Sequence, residues 1–165
     1  MEKRINYYYS IGGLSMYFVD RTKITKNLAH LDSLLAIFEQ EQNWTENAVK
    51  KLALQRISHN VMESMMDVGN VMIDGFIMRD PGSYDDIIDI LVDEKVITPD
   101  MDAPLKDVVG LRKMIVRDFL EVNDEEIVRV LTASLDALKQ FSPKVEAYLV
   151  NELGPVSAFL PEESK

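Results

Sequence analysis

Thr45–Met78, TENAVKKLALQRISHNVMESMMDVGNVMIDGFIM, has no proline and keeps apolar residues three or four apart along its length. That period places them on one side of a helix, so the stretch is read as the longest helix of the chain. Thr45 is its expected N-cap, with Glu46 in the first turn where a negative charge is favourable. Its methionines, Met62, Met65, Met66, Met72 and Met78, are read as adaptable core filler, because an unbranched thioether fits irregular gaps. Upstream, Val19, Ile24, Leu28, Leu31, Leu35 and Phe38 recur with the same period and predict a helix over 19–39. Downstream, Arg79-Asp80-Pro81-Gly82-Ser83 is the clearest stop in the chain. Ser83 is the expected cap of a short helix over 84–95. After Thr98-Pro99-Asp100, Asp102 is the expected cap of a fourth helix over 103–121, with Pro104 tolerated in its first turn. Asn123-Asp124-Glu125-Glu126 opens a fifth helix with apolar face Ile127, Leu131, Leu135, Leu138, Phe141, Val145 and Leu149. Pro143 is expected to kink or interrupt it, and Gly154-Pro155 to end it. No segment alternates as a strand does, and no repeat is present. The expectation is an all-α, antiparallel bundle of four or five helices.

Length and charge bound the function. The chain has 165 residues, 28 acidic against 18 basic side chains, net charge −10 and no cysteine. Disulfides, thiolate metal sites and a cysteine nucleophile are excluded. General affinity for nucleic acid is not expected, although a local basic site remains open. No apolar run has the roughly 20 residues of a membrane helix, and residues 1–15 make a poor signal peptide. They are set apart as an N-terminal extension or expression remnant, residues 16–160 are taken as one domain, and 161–165 as a polar tail. A cytoplasmic protein with no membrane association is expected.

Two sets of polar residues stand out. Arg56, Asn60, Glu63, Asp67, Asn70 and Asp74 follow steps of four and three along the second helix and so share a face. That face is either the solvent side of an amphipathic helix or a polar seam lining a groove or dimer interface. The fourth helix carries the opposite charge in Leu111-Arg112-Lys113-Met114-Ile115-Val116-Arg117-Asp118-Phe119. In a regular helix Lys113 and Arg117 share a face, whereas Arg112 lies about 140° from Arg117. An arginine against apolar surface pairs with a carboxylate or an anion. Both a salt bridge to the acidic seam and a phosphodiester satisfy that need.

Other patterns carry less. Asp85-Asp86-Ile87-Ile88-Asp89 has the spacing of a magnesium-diphosphate motif, but it follows a turn, where acids at a helix start are ordinary, and no second motif accompanies it. His59, Glu63 and Asp67 could face a metal from one helix, yet no matching carboxylate set exists on the others. Gly12-Gly13 lacks the rest of a phosphate loop. With only His30 and His59 in the chain, a serine triad has little support. No cofactor and no metal are expected.

From about Met16 to Phe159 the chain resembles the HepT-like proteins of the HEPN superfamily. The resemblance rests on the helix order and on Gly110–Phe119. Met78-Arg79-Asp80-Pro81-Gly82-Ser83-Tyr84 further resembles a branch found in bacilli, represented there by a small uncharacterised protein. The resemblance implies a helical bundle that dimerises through its long helices. In active members it implies a metal-independent ribonuclease, the toxin of a toxin–antitoxin pair whose antitoxin is a small nucleotidyltransferase. The family motif is arginine, four residues, histidine, one residue, tyrosine; the arginine and histidine cut RNA and the tyrosine receives AMP. Here Arg112 fills the arginine slot, Arg117 the histidine slot and Phe119 the tyrosine slot. Arginine holds an anion but does not exchange protons near neutrality, and phenylalanine offers no hydroxyl. Arg112 and Arg117 are therefore the candidate catalytic pair, and Phe119 is not modifiable. Lys113, Asp118, Arg56, His59, Asn60, Glu63 and Asp67 are candidate supporting residues. Two readings follow: a toxin-like ribonuclease with weak or absent cleavage, or a non-catalytic dimer that binds a protein or nucleotide partner.

Overall fold

The computed structural model describes residues 9–11, 14–16 and 19–153. Six α-helices carry the domain: α1 Arg21–Gln40, α2 Ala48–Gly75, α3 Tyr84–Asp93, α4 Asp102–Arg112, α5 Asp124–Ala133 and α6 Leu135–Leu153. Two short strands precede them, β1 Tyr9–Ile11 and β2 Leu14–Met16, paired antiparallel with Ser10 opposite Ser15. No strand was expected there. Only Gly12 and Gly13 separate the two in sequence, the spacing of a tight hairpin. The Gly154-Pro155 stop and the polar tail lie outside the described residues.

Four helices start on a side-chain cap, which satisfies one of the orphaned N–H groups of the first turn. Asp20 accepts from Lys23 N–H, Ser83 from Asp86 N–H and Asn123 from Glu126 N–H. The second helix starts later than expected: Asn47, not Thr45, is the cap, its Oδ1 accepting from Lys50 N–H at 3.0 Å. Asparagine is the stronger capping residue. Asp102 is not a cap either. A 3₁₀ turn over Pro99–Met101 delivers the chain already in helical conformation, and Asp102 becomes the first residue of α4, paired with Lys106 Nζ at 2.9 Å.

The expected fifth helix is two helices, broken at Ser134 rather than at Pro143. Ser134 is buried and Thr132 lies two positions before it, both weak helix formers. Pro143 stays inside α6. It removes one ladder hydrogen bond, to the Lys139 carbonyl, and both residues are exposed, so water is available to that carbonyl.

Gly75, at the end of α2, packs on Val19, just before α1. The two long helices therefore run antiparallel. The apolar face expected for α1 is buried, as are Met62, Met65 and Met72 at 0% exposure, and all join one core with Leu138, Phe141 and Val145 of α6. Gly69 lets α3 approach α2 closely; a Cβ there would lie 2.4 Å from Ile87 Cγ2. That approach fixes where α3 begins, and with it one wall of the site below.

Candidate functional site

The fourth helix does not run on to Glu121. It ends at Arg112 and continues as a π-helical turn over Lys113–Arg117, closed by Asp118 N–H donating to Lys113 O at 3.0 Å. In such a turn the hydrogen bond spans five residues, so residues five apart lie closer around the axis than the ~140° of an α-helix. Arg112 and Arg117 consequently line one cavity of about 300 Å³ together with Lys113. Ser83, Tyr84 and Asp85, from the start of α3, form its other wall.

Arg112 is held on two sides. Its Nε donates to Glu63 Oε1 of α2 at 3.3 Å, and its guanidinium carbon lies 4.5 Å from the centre of the Tyr84 ring. The expected ion pair to the acidic seam is therefore present, and a cation–π contact adds to it. Among the described residues neither Nη nitrogen has a partner. Arg117 is exposed and has no ion-pair partner among the described residues. Lys113 is also exposed, its Nζ 4.0 Å from Asp118. These cations face open space in an acidic chain, where they remain available to an anion.

Glu63 carries the site further into α2. His59 Nε2 lies 3.5 Å from the same Glu63 Oε1, and Arg56 Nη1 lies 3.4 Å from His59 Nδ1. Arginine only donates, so in that contact His59 Nδ1 is the acceptor. The rest of the seam does other things. Asn60 Nδ2 is 3.3 Å from His30 Nε2 of α1, Asp67 is half-buried, and Asn70 and Asp74 are exposed. The seam is thus a bridge at Glu63 and a solvent face towards its C-terminal end.

Beyond Arg117 the chain turns outward. Phe119 and Leu120 are 64% and 86% exposed, and Asp118 is exposed. Phe119 does not line the cavity. Two of the three aspartates of the discounted 85–89 pattern are engaged: Asp86 by both Nη groups of Arg79, at 2.6 and 2.7 Å, and Asp89 by Lys106 at 2.5 Å. Among the described residues no cluster of His, Asp and Glu could hold a metal ion. Sequence reasoning missed Tyr84 and Ser83 as site residues. They belong to the 78–84 pattern, but nothing local says that this turn meets the basic helix.

A sequence profile described as Ribonuclease HepT-like matches residues 24–145. The chain belongs to the HepT-like family. This HepT-like chain is 50% identical to YutE of Bacillus subtilis (strain 168), a candidate RNase, over 144 residues that span 87% of the chain and 99% of the relative. The solved structure of YutE, described as a cytosolic protein, superimposes with a TM-score of 0.84, covering 87% of this chain and 100% of its own. The tri-AMPylated HEPN toxin of Shewanella oneidensis, solved in complex with an MNT antitoxin, superimposes with a TM-score of 0.68 at 22% identity, covering 76% and 97%. That likeness is one of fold, and it agrees with the HEPN-like helical bundle expected from sequence. Among the described residues no helix is long and apolar enough to cross a membrane.

Proposed function

We propose that this HepT-like protein binds RNA, with the phosphodiester held between Arg112 and Arg117, and that its cleavage of RNA is weak or absent. One observation carries this reading: the π turn puts both guanidiniums on one cavity, and Arg117 has no partner there among the described residues. Cleavage without a metal needs a group that takes a proton from the attacking ribose hydroxyl and one that returns a proton to the leaving oxygen. Arg117 serves neither purpose. His59 is placed behind Glu63 and is not among the cavity-lining residues.

The toxin–antitoxin setting comes from likeness to the Shewanella complex. A nucleotidyltransferase partner fits the family, but AMP has no acceptor at Phe119. The second reading, a non-catalytic dimer that binds a partner, is favoured by the exposed Val116, Phe119 and Leu120 beside Arg117. A second copy of this chain is the occupant proposed for them, and the cytoplasm is the proposed location.

The test is labelled RNA incubated with wild type and with Arg112→Ala, reading binding and cleavage separately. Binding that disappears in the variant, with slow or undetectable cleavage, supports the proposal. Wild type that does not bind removes it, and rapid cleavage lost in the variant replaces it with a fully active ribonuclease. Light scattering at micromolar concentration decides the dimer.

A further inference from the structure

Tyr84 is the aromatic residue of the cavity, and neither the family motif nor the sequence pattern assigns it a role. It is the first residue of α3 and 45% exposed. One side of the ring meets the Arg112 guanidinium, whose carbon is 4.5 Å from the ring centre. The half-exposed ring meets this cation in a cavity of about 300 Å³ whose lining also includes Asp85, Lys113 and Arg117. Its hydroxyl has no hydrogen bond among the described residues, so the ring is not held there by its polar end.

We infer that the cavity is a single-nucleotide subsite in which Tyr84 stacks a nucleobase while Arg112 and Arg117 hold the adjoining phosphate. This rests on the RNA-binding reading above and says how that site takes its ligand. Single-stranded RNA exposes bases that stack on aromatic faces, and every base has such a face, so the contact is tolerant of sequence. The volume lies at the lower end of the about 300–1,000 Å³ of small-molecule sites. Asp85, on the same wall, opposes a second phosphate there by its charge and offers an acceptor to an exocyclic amine. Arg112 joins the two halves, since its guanidinium carbon lies over the ring and its Nη groups have no partner among the described residues.

The experiment measures binding of a short single-stranded RNA containing 2-aminopurine to wild type, Tyr84→Ala, Tyr84→Phe and Arg117→Ala, over a range of salt. Tyr84 is exposed at the end of a helix, so the variants fold; a thermal melt checks this. Stacking predicts that Tyr84→Ala weakens binding about tenfold or more, abolishes the fluorescence quenching and leaves the salt slope unchanged. Tyr84→Phe keeps both affinity and quenching. Arg117→Ala lowers the salt slope by about 0.7, one phosphate contact on a single strand. The inference is overturned if Tyr84→Ala binds and quenches as wild type does. It is also overturned if Tyr84→Ala lowers the salt slope, which makes the ring only a prop for Arg112, or if Tyr84→Phe loses as much as Tyr84→Ala, which makes the hydroxyl the contact. Wild type that fails to bind at any salt removes the RNA-binding reading and this inference together.

Discussion

Arg79 and Arg112 both meet the first turn of α3, and they do so in opposite ways. Arg79 gives both Nη groups to the Asp86 carboxylate, which also accepts Gly82 N–H at 2.8 Å, while Asp86 N–H donates to the Ser83 cap. Charge and hydrogen-bonding capacity are matched there, and the bidentate geometry locks the turn between α2 and α3. Arg112 makes one longer bond, at 3.3 Å, to Glu63 and sets its guanidinium carbon over the Tyr84 ring. Arg117 beside it has no partner among the described residues. A chain with 28 acidic residues does not lack carboxylates. The contrast therefore separates an arginine that holds the fold from a pair left open for a ligand.

The sharpest way to break that contrast is to remove each side in turn. The double variant Arg112→Ala, Arg117→Ala is expected to weaken RNA binding about 100-fold, two charge-assisted contacts at roughly 1.4 kcal/mol each, with little change in melting temperature. Arg79→Ala is expected to lower the melting temperature and leave RNA affinity within about twofold. Filter binding and thermal melts on the same samples decide it; a variant of Arg79 that loses RNA binding with its fold intact would merge the two corners into one. The next largest effect is at the packing that sets the corner. Gly69→Ala forces a methyl to 2.4 Å from Ile87 Cγ2. Ile87 is β-branched and buried, so the overpacking is expected to cost about 1–3 kcal/mol in urea denaturation. Because Ser83, Tyr84 and Asp85 move with α3, RNA binding should fall as well. Unchanged binding at reduced stability would show that the cavity wall tolerates the shift.

The same contrast explains what could be read in advance. Helices α1 to α3, the buried methionines, the cap Ser83 and the helix start at Asn123 were legible, because periodicity and capping are local. The ion pair between Arg112 and the acidic seam was open as one of two alternatives, and Glu63 is its partner. The π turn was not legible. Nothing in Lys113-Met114-Ile115-Val116-Arg117 departs from helical composition, and reading it as α-helix put Arg112 and Arg117 on different sides. Tyr84 escaped for another reason: its partner Arg112 is 28 positions away in the sequence, and only the packing of α3 against α2 and α4 brings them together. His59 could not be placed from sequence; its link to Arg112 runs through a shared Glu63 oxygen.

Acid titration probes the matched corner alone. Arg79, then the Gly82 amide, hold the Asp86 carboxyl down at about 2. A depressed carboxyl pKa means that the unfolded chain binds the proton more readily, so this contribution is fully present above about pH 4 and is lost as pH falls towards 2. Asp86 is half-buried and its partner Arg79 is exposed, so the effect is modest and screened by salt. Asp86→Asn is expected to lower stability at pH 7 and to flatten its decline between pH 4 and 2, read by urea denaturation at several pH values. An equally steep decline in the variant would assign that acid sensitivity to other carboxylates.

The smallest expected effect lies at the entrance to the same corner. Ile77 follows α2 with φ of 50°, and Met78 N–H reaches back to Ile73 O at 2.9 Å, closing the end of the helix. Glycine is the usual residue for this left-handed position. A β-branched side chain there costs about 1–2 kcal/mol in backbone strain, and Ile77 is 60% exposed, so little burial offsets it. Ile77→Gly should therefore stabilise the protein by about 0.5–1 kcal/mol, after the greater freedom that glycine gives the unfolded chain. Lys95, with φ of 61° after α3, is unbranched at Cβ, and its glycine variant should gain less. If Ile77→Gly gains stability and keeps RNA affinity, the strain serves only to set the chain on its path to Arg79. If it gains stability and loses affinity, the strained turn helps to aim Tyr84, and the corner that holds the fold also tunes the one that binds.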